Sequence, residues 1–371
     1  MTDALGNLRV LDFSRVLAGP FATMMLADFG ATVIKVERPG GGDETRSWGP
    51  PYDDRGEATY FQSVNRNKRS IVLDLATEAD LDRARALARE SDVLVENFRP
   101  GVMDRLGLGY EQLAGDRPAL IYCSITGFGS GEGARLPGYD LLVQALGGLM
   151  SITGEAGGEP QKVGVAVVDV LAGLFATVGI LAAARHRDET GEGQLVEVNL
   201  LSALLAALVN QGSAYTIGGV VPGRMGNAHP SIAPYELFAT AEGELVLAVG
   251  NDRQFAGLCA IVGAPELATD ARFGSNADRV HNREALKDEL NARLAQRPAR
   301  EWATLLTEER VPAGVVNDIS AAFALARSLG LEPTVSIPRG DGGQVRLTSN
   351  PVRLSRTPAS YRSAPPRLPD A

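Results

Sequence analysis

The chain has 371 residues, 44% hydrophobic and 22% charged, a composition typical of globular proteins and enough material for two or three domains. Thirty-six Lys and Arg against 45 Asp and Glu leave a net charge of −9, which argues against nucleic acid or an anionic membrane as the main partner. Two cysteines, Cys123 and Cys259, and three scattered histidines, His186, His229 and His281, supply neither a disulfide framework nor zinc-type spacing, so no metal site is expected.

In chain order, LRVLDF predicts a short strand, PFATMMLADFG a helix with a glycine stop, and ATVIKVER a second strand. ADLDRARALARES is an amphipathic helix leading into the strand DVLVEN. VMDRLGLGYEQLAG is a further helix and ALIYCSITGFG a further strand. Alternating strands and helices predict an α/β fold with a doubly wound parallel sheet, whose ligands lie beyond the carboxyl ends of the strands. Those ends are SRVLAGP, ERPGGGD, NFRPG and ITGFG.

VGVAVV predicts a strand ending at Asp169, followed by the apolar helix up to Ala184. Val165 to Ala184 is almost long enough to span a bilayer. Its internal Asp169 and its Gly and Ala content instead suit a protein core or a subunit interface, as does the next apolar run, LLSALLAALV from Leu200. Beyond residue 220 the pattern changes: a loop PGRMGNAHPSIAP, a hairpin YELFATAEGELVLAVGN, then helices DRQFAGLCAIVG, NREALKDELNARLAQR and AREWATLLTEERV. These predict a smaller α+β domain, ahead of an extended tail from Asn350. The N-terminus MTDALGNLRV lacks a basic segment followed by an apolar one, so no secretory signal is read and a cytoplasmic location is expected.

Asp169 is the residue that stands out, because an ionised carboxylate in apolar surroundings is costly unless something compensates it. It reads either as an N-cap or as a nucleophile stripped of water, and one geometry serves both. Arg38, Lys68, Arg69, Arg99 and Arg105 are each readable as a solvated charge; together, near strand ends, they suit a polyphosphate. Asn97-Phe98 offers an amide beside an aromatic face, or simply a turn and a core Phe. Glu37 sits where a dinucleotide enzyme carries its ribose-binding acid, but SRVLAGP lacks the G-x-G-x-x-G turn, which argues against a dehydrogenase.

The blocks LRVLDFSRVLAGPFATMMLADFGATVIKVERPGGGD, YFQSVNRNKRSIVLDL, DVLVENFRPGVMDRLGL, GYDLLVQALGGLMSITG and VGVAVVDVLAGLFATVGILAA, in that order, resemble the class III CoA-transferases of the formyl-CoA and carnitine CoA-transferase type. The resemblance implies that Asp169 is the catalytic nucleophile. It implies coenzyme A contacts at Leu17, Ala18, Arg38, Leu73 to Ala76 (Leu75 included), Asn97, Phe98, Arg105, Gly138, Tyr139 and Asp140. It implies a Rossmann-like large domain over residues 1–200 completed by 322–371, a linker over 201–224 and a small domain over 225–321, with two subunits interlocked as a homodimer. No separate cofactor is implied, since the coenzyme A thioester is itself a substrate.

The chain departs from the formyl-CoA type in lacking its glycine-rich loop in the small domain and in a short C-terminus, which argues against oxalate as acceptor. MGNAHPSIAPYELF looks closer to members acting on succinate, glutarate or hydroxymethylglutarate. Arg224 and His229 in that region are the cationic partners expected for an acceptor's second carboxylate; otherwise they are a surface charge and a loop-fixing hydrogen bonder. The related α-methylacyl-CoA racemases carry a His where this chain has Tyr139. Tyr is a poor base at neutral pH, so the transferase reading is preferred over the racemase alternative.

Overall fold

A computed structural model describes residues 3–340 and 342–369 and forms two compact units. The first comprises Met1–Leu149, Lys162–Val220 and Leu331–Ala371; the second comprises Met150–Gln161 and Val221–Gly330.

The first unit is built on six parallel strands: β1 (Arg9–Asp12), β2 (Thr32–Glu37), β3 (Lys68–Val72), β4 (Val93–Glu96), β5 (Ile121–Thr126) and β6 (Leu195–Asn199). They lie side by side in the order β3-β2-β1-β4-β5-β6. Both faces of this sheet are buried, and the two-residue period of a strand sends neighbours to opposite sides. Val10, Val93, Val95, Ile121, Cys123 and Ile125 join one core, while Leu11, Leu94 and Tyr122 join another.

Helices α1 (Ala18–Asp28) and α2 (Thr59–Ser63) flank β2, and α3 (Glu78–Glu90), α4 (Val102–Arg105) and α5 (Tyr110–Asp116) surround β4. The segment expected as one helix, VMDRLGLGYEQLAG, is split between α4 and α5, because Gly107 sits at φ 68° and breaks it. Next come α6 (Asp140–Leu146), the short α7 (Leu149–Ile152), α8 (Val167–Thr190), α9 (Leu200–Ala207) and α10 (Val209–Thr216).

α8 is the longest of these helices. Val168, Ala172, Gly173, Ala176, Thr177, Ile180 and Ala183 form its buried stripe. At Gly173 a Cβ would stand 2.6 Å from the Ala18 carbonyl oxygen, so glycine lets α8 lie directly on α1. The expected strand VGVAVV is not formed: residues 163–166 are irregular and the helix begins at Val167. Its β-branched run reads as strand, but the sheet position beside β5 is occupied by β6, for which no strand is expected from the sequence.

The hairpin β10 (Thr334–Pro338) and β11 (Gln344–Thr348) returns the chain to the first unit. There Arg362 donates to the carbonyls of Ala27, Gly30 and Ala31, so the tail from Asn350 is tied down. These bounds differ from the expected ones. Helices α9 and α10 and the residues up to Val220 belong to the first unit rather than to a linker, since Leu200, Ala203 and Leu204 share the core of α8. Residues 150–161 go with the second unit, and the return falls at Leu331.

The second unit pairs β7 (Tyr235–Ala239), β8 (Glu244–Ala248) and β9 (Ala313–Val315) antiparallel. The helices α11 (Asp252–Ile261), α12 (Asn276–His281), α13 (Arg283–Leu294), α14 (Ala299–Glu308) and α15 (Ile319–Ser328) also belong to it. Phe238, Leu245, Leu247, Phe255, Leu258 and Trp302 fill its core.

Candidate active site

The loop after β1 is set by a buried charge network. Asp12 is fully buried and accepts from Lys68 Nζ at 3.1 Å, Thr23 Oγ1 at 2.6 Å and the Ser14 hydroxyl. Lys35, also fully buried, pairs with Asp43 at 2.9 Å and donates to the Ser14 carbonyl. Burial alone would raise Asp12; the charges of Lys68 and Lys35 outweigh it and hold the carboxyl below the usual range. Lys68 therefore belongs to the foundation of the site and is not a phosphate ligand. Asp43 in turn faces the backbone N–H of Val16, whose φ of 68° is a strained conformation for a β-branched residue.

Asn97, at the exit of β4, clamps the same loop. Its side-chain oxygen accepts from Arg15 N–H at 2.9 Å and its amide donates to Arg15 C=O at 2.8 Å. The amide expected to face a nucleotide is thus occupied with backbone. Glu37 is likewise engaged, taking two bonds of 2.7 Å from Arg46.

On the far side of the site, the loops after β5 and before α6 cross at two glycines. A Cβ on Gly127 would lie 2.3 Å from Gly138 Cα, and one on Gly138 would lie 2.6 Å from Gly127 Cα. The crossing sets Tyr139 and Asp140 beside the start of α8. One Asp140 oxygen accepts from Val168 N–H at 2.8 Å and from Asp169 N–H at 3.3 Å; the other accepts from Gln144 at 2.5 Å. Gln144 also accepts from Val163 N–H at 2.9 Å. Asp140 is therefore the side-chain acceptor for the first turn of α8, the part the sequence reading offered to Asp169.

Asp169 itself lies inside that first turn, two residues after Val167. Burial, and then the neighbouring Asp140 carboxylate, push it up to about 7; no cation contributes. Tyr60 stands close by, raised above the usual phenol range by burial and then by the charges of Asp169, Asp140 and Asp43.

A cavity of about 210 Å³ opens onto Asp169 and is also lined by Leu17, Ala18, Asn97, Phe98, Gly138 and Tyr139. A second cavity, of about 260 Å³, is lined by Arg38, Leu73, Leu75, Ala76 and Phe98. Arg15 and Phe98 line both. Arg105 is exposed at the end of α4 and lines neither cavity. In the second unit, Arg224 donates to Gly158 C=O at 2.8 Å. His229 accepts from Ser231 N–H through Nδ1 and lies against Tyr235.

The sequence profile described as CoA-transferase family III matches residues 5–370. The chain belongs to this family. It is similar to the succinate–glutarate CoA-transferase of Agrobacterium fabrum, 43% identical over 98% of this chain and 92% of that protein. It is also similar to the acetyl-CoA:oxalate CoA-transferase of Acetobacter aceti, 42% identical over 94% of this chain and 88% of that one. A crystal structure of a CAIB/BAIF family protein from Brucella suis superposes with a TM-score of 0.88 at 42% identity, covering 99% of this chain and 97% of that one. The protein is thus a CoA-transferase, which moves coenzyme A from an acyl-CoA to a free carboxylic acid.

Sequence reasoning passed over several residues of this CoA-transferase site. Arg15 and Glu44 line the first cavity as an ion pair of 2.6 Å, and Trp48 joins them, edge-on to Tyr60 at 5.4 Å between ring centres. Arg15 carried a readable signal, a cation in the loop at the carboxyl end of β1. Glu44, Trp48 and Tyr60 carried none, because only the fold brings their segment back to β1.

Proposed function

We propose that this CoA-transferase works through Asp169 by double displacement. An Asp169 carboxylate oxygen attacks the carbonyl carbon of the donor thioester; the C–S bond breaks, leaving a mixed anhydride and CoA thiolate. The thiolate attacks the Asp169 side-chain carbonyl and expels the donor carboxylate, so Asp169 becomes an aspartyl-CoA thioester. The acceptor carboxylate attacks that carbonyl and releases thiolate, which then attacks the acceptor's acyl carbon and regenerates the Asp169 carboxylate. One thioester replaces another, so the sequence of steps balances without metal or ATP.

The observation that carries this reading is a carboxylate facing a cavity with no cation beside it among the described residues. Stripped of water and held near neutrality, it remains available as a nucleophile. The strand order of the first unit supports a Rossmann-like CoA-binding domain, with ligands at the carboxyl ends of β1 and β4, where the order reverses. Incubation with succinyl-CoA alone is expected to add CoA less water to the peptide bearing Asp169; an unlabelled peptide under turnover conditions overturns the mechanism.

We infer a small dicarboxylate or hydroxy-dicarboxylate acceptor with succinyl-CoA as donor. The relatives support the class without ranking its members, since the glutarate and oxalate enzymes are almost equally similar. Arg224, whose Nε is buried without a hydrogen-bond partner among the described residues, remains the proposed partner of the acceptor's far carboxylate. Arg224→Ala is expected to raise the acceptor KM and leave that for acyl-CoA nearly unchanged; the reverse pattern removes this assignment.

We also propose a homodimer. Leu174, Phe175, Val178 and Leu181 on α8, with Leu205, Val209 and Tyr215 on α9 and α10, leave one apolar surface of the first unit open. Interlocked copies are expected to stay dimeric on dilution; a reversible monomer–dimer equilibrium in sedimentation contradicts interlocking.

A further inference from the structure

Arg15 occupies an unusual position, in the wall shared by the two cavities. Its guanidinium lies over the Phe98 ring at 4.9 Å, so this stacked pair separates the cavity containing Asp169 from the one containing Arg38, Leu73 and Leu75. Its backbone is held on both sides by the Asn97 amide, which leaves the side chain as the part free to move.

The pairing of Arg15 with Glu44 is half-made. One bond of 2.6 Å joins Nη1 to Oε1, while Arg15 Nε and Glu44 Oε2 are buried and have no hydrogen-bond partner among the described residues. A guanidinium fork satisfied by one carboxylate oxygen has donors left over, and phosphate oxygens meet such a fork better than this carboxylate does. The two side chains are 35% and 31% exposed, so water screens their attraction and the pair is readily exchanged.

Coenzyme A carries its adenine nucleotide, its diphosphate, its pantetheine arm and its thioester in that order along one chain. With the thioester at Asp169 and the nucleotide in the second cavity, the passage at Arg15 receives the stretch that begins with the diphosphate. We propose that Arg15 binds the CoA diphosphate and that Glu44 is its resting counter-ion, released when CoA enters. This rests on the CoA-transferase site described above. Glu44 then competes with the substrate for the same guanidinium, so the pair latches the passage between the cavities when no CoA is present.

The two roles open to this ion pair predict opposite signs. If Glu44 merely braces the wall, Glu44→Gln weakens CoA binding. If it is the competitor, Glu44→Gln lowers the KM for succinyl-CoA, by about threefold for one removed charge–charge contact near the surface. Arg15→Met is expected to raise the KM for succinyl-CoA about tenfold or more, with a much smaller rise for S-succinyl-pantetheine, which has no phosphate. In the Arg15→Met background, Glu44→Gln no longer lowers the KM, because nothing is left to compete for.

Equal rises for the two thioesters in Arg15→Met, or weaker CoA binding in Glu44→Gln, overturn the proposal. Glu44→Gln leaves the Arg15 wall standing, so its sign decides even where Arg15→Met fails to fold. CoA loading of Asp169 in the unaltered enzyme is measured alongside. Its absence counts against the mechanism at Asp169, whereas normal loading with the wrong sign for Glu44→Gln counts against the latch alone.

Discussion

Asp12, beneath the loop after β1, and Asp169, on the wall of the cavity, have been given opposite environments. Asp12 is entirely buried and has Lys68, Thr23 and Ser14 around it, so the fold holds it ionised. Asp169 is less enclosed yet is pushed up to about 7, because burial, and then the neighbouring Asp140 carboxylate, disfavour its charge. Depth of burial therefore does not mark a reactive acid. What marks it is burial without a matched partner, since a paired carboxylate is already spent on its cation.

Substitution at each acid separates these two roles most sharply. Asp169→Ala is expected to cut transfer by roughly a thousandfold or more, as removal of a covalent nucleophile does, with little change in the urea midpoint. Asp12→Ala leaves Lys68 buried without its counter-ion and is expected to cost about 3–5 kcal/mol of stability, read as a lower urea midpoint at unchanged slope. Any transferase activity lost in Asp12→Ala should track unfolding. An Asp12 variant that is fully folded and inactive, or an Asp169 variant that unfolds, breaks the comparison.

A smaller effect concerns pH. In the proposed mechanism Asp169 attacks only when ionised, so kcat/KM in the unaltered enzyme is expected to rise with pH through about 7. Asp140→Asn keeps an oxygen acceptor for the first turn of α8 and removes the like charge, so the acidic limb moves to lower pH. The stability sign follows from the same shift. Folded Asp169 holds its proton to higher pH than the unfolded chain does, so it costs stability progressively as pH rises from about 4 to about 7. Asp169→Asn is expected to gain stability over the unaltered protein at pH 8 and to lose that advantage near pH 4. A flat difference across that range places the raised acid elsewhere.

Much of this was legible in the residues, for stated reasons. Strands and helices of the first unit announce themselves because a short continuous apolar run marks a strand buried on both faces and the 3.6 period marks a helix, as in DVLVEN and ADLDRARALARES. Asp169 was visible because nothing else around it is charged. The start of α8 was misplaced because VGVAVV favours strand by its own propensity, while the acceptor that fixes the helix start, Asp140, lies 29 residues before Asp169. Asn97 was misread for a similar reason: its partner, the Arg15 backbone, is 82 residues away. Lys68 looked like a free cation because its partner Asp12 is 56 residues earlier in the chain. Local chemistry showed which residues are polar; only the folded contacts showed which of them are already engaged.

The crossing of Gly127 and Gly138 has a consequence for how this protein can vary. Each glycine's missing side chain is the space the other's backbone occupies, so the pair behaves as a single heritable unit. A methyl group at either position displaces the loop that leads into Tyr139 and Asp140, and through Asp140 the N–H groups at the head of α8. Designers who transplant the acids without that crossing will copy the chemistry and lose its placement, and lineages that explore new acceptors are free to change the lining but not this knot of backbone.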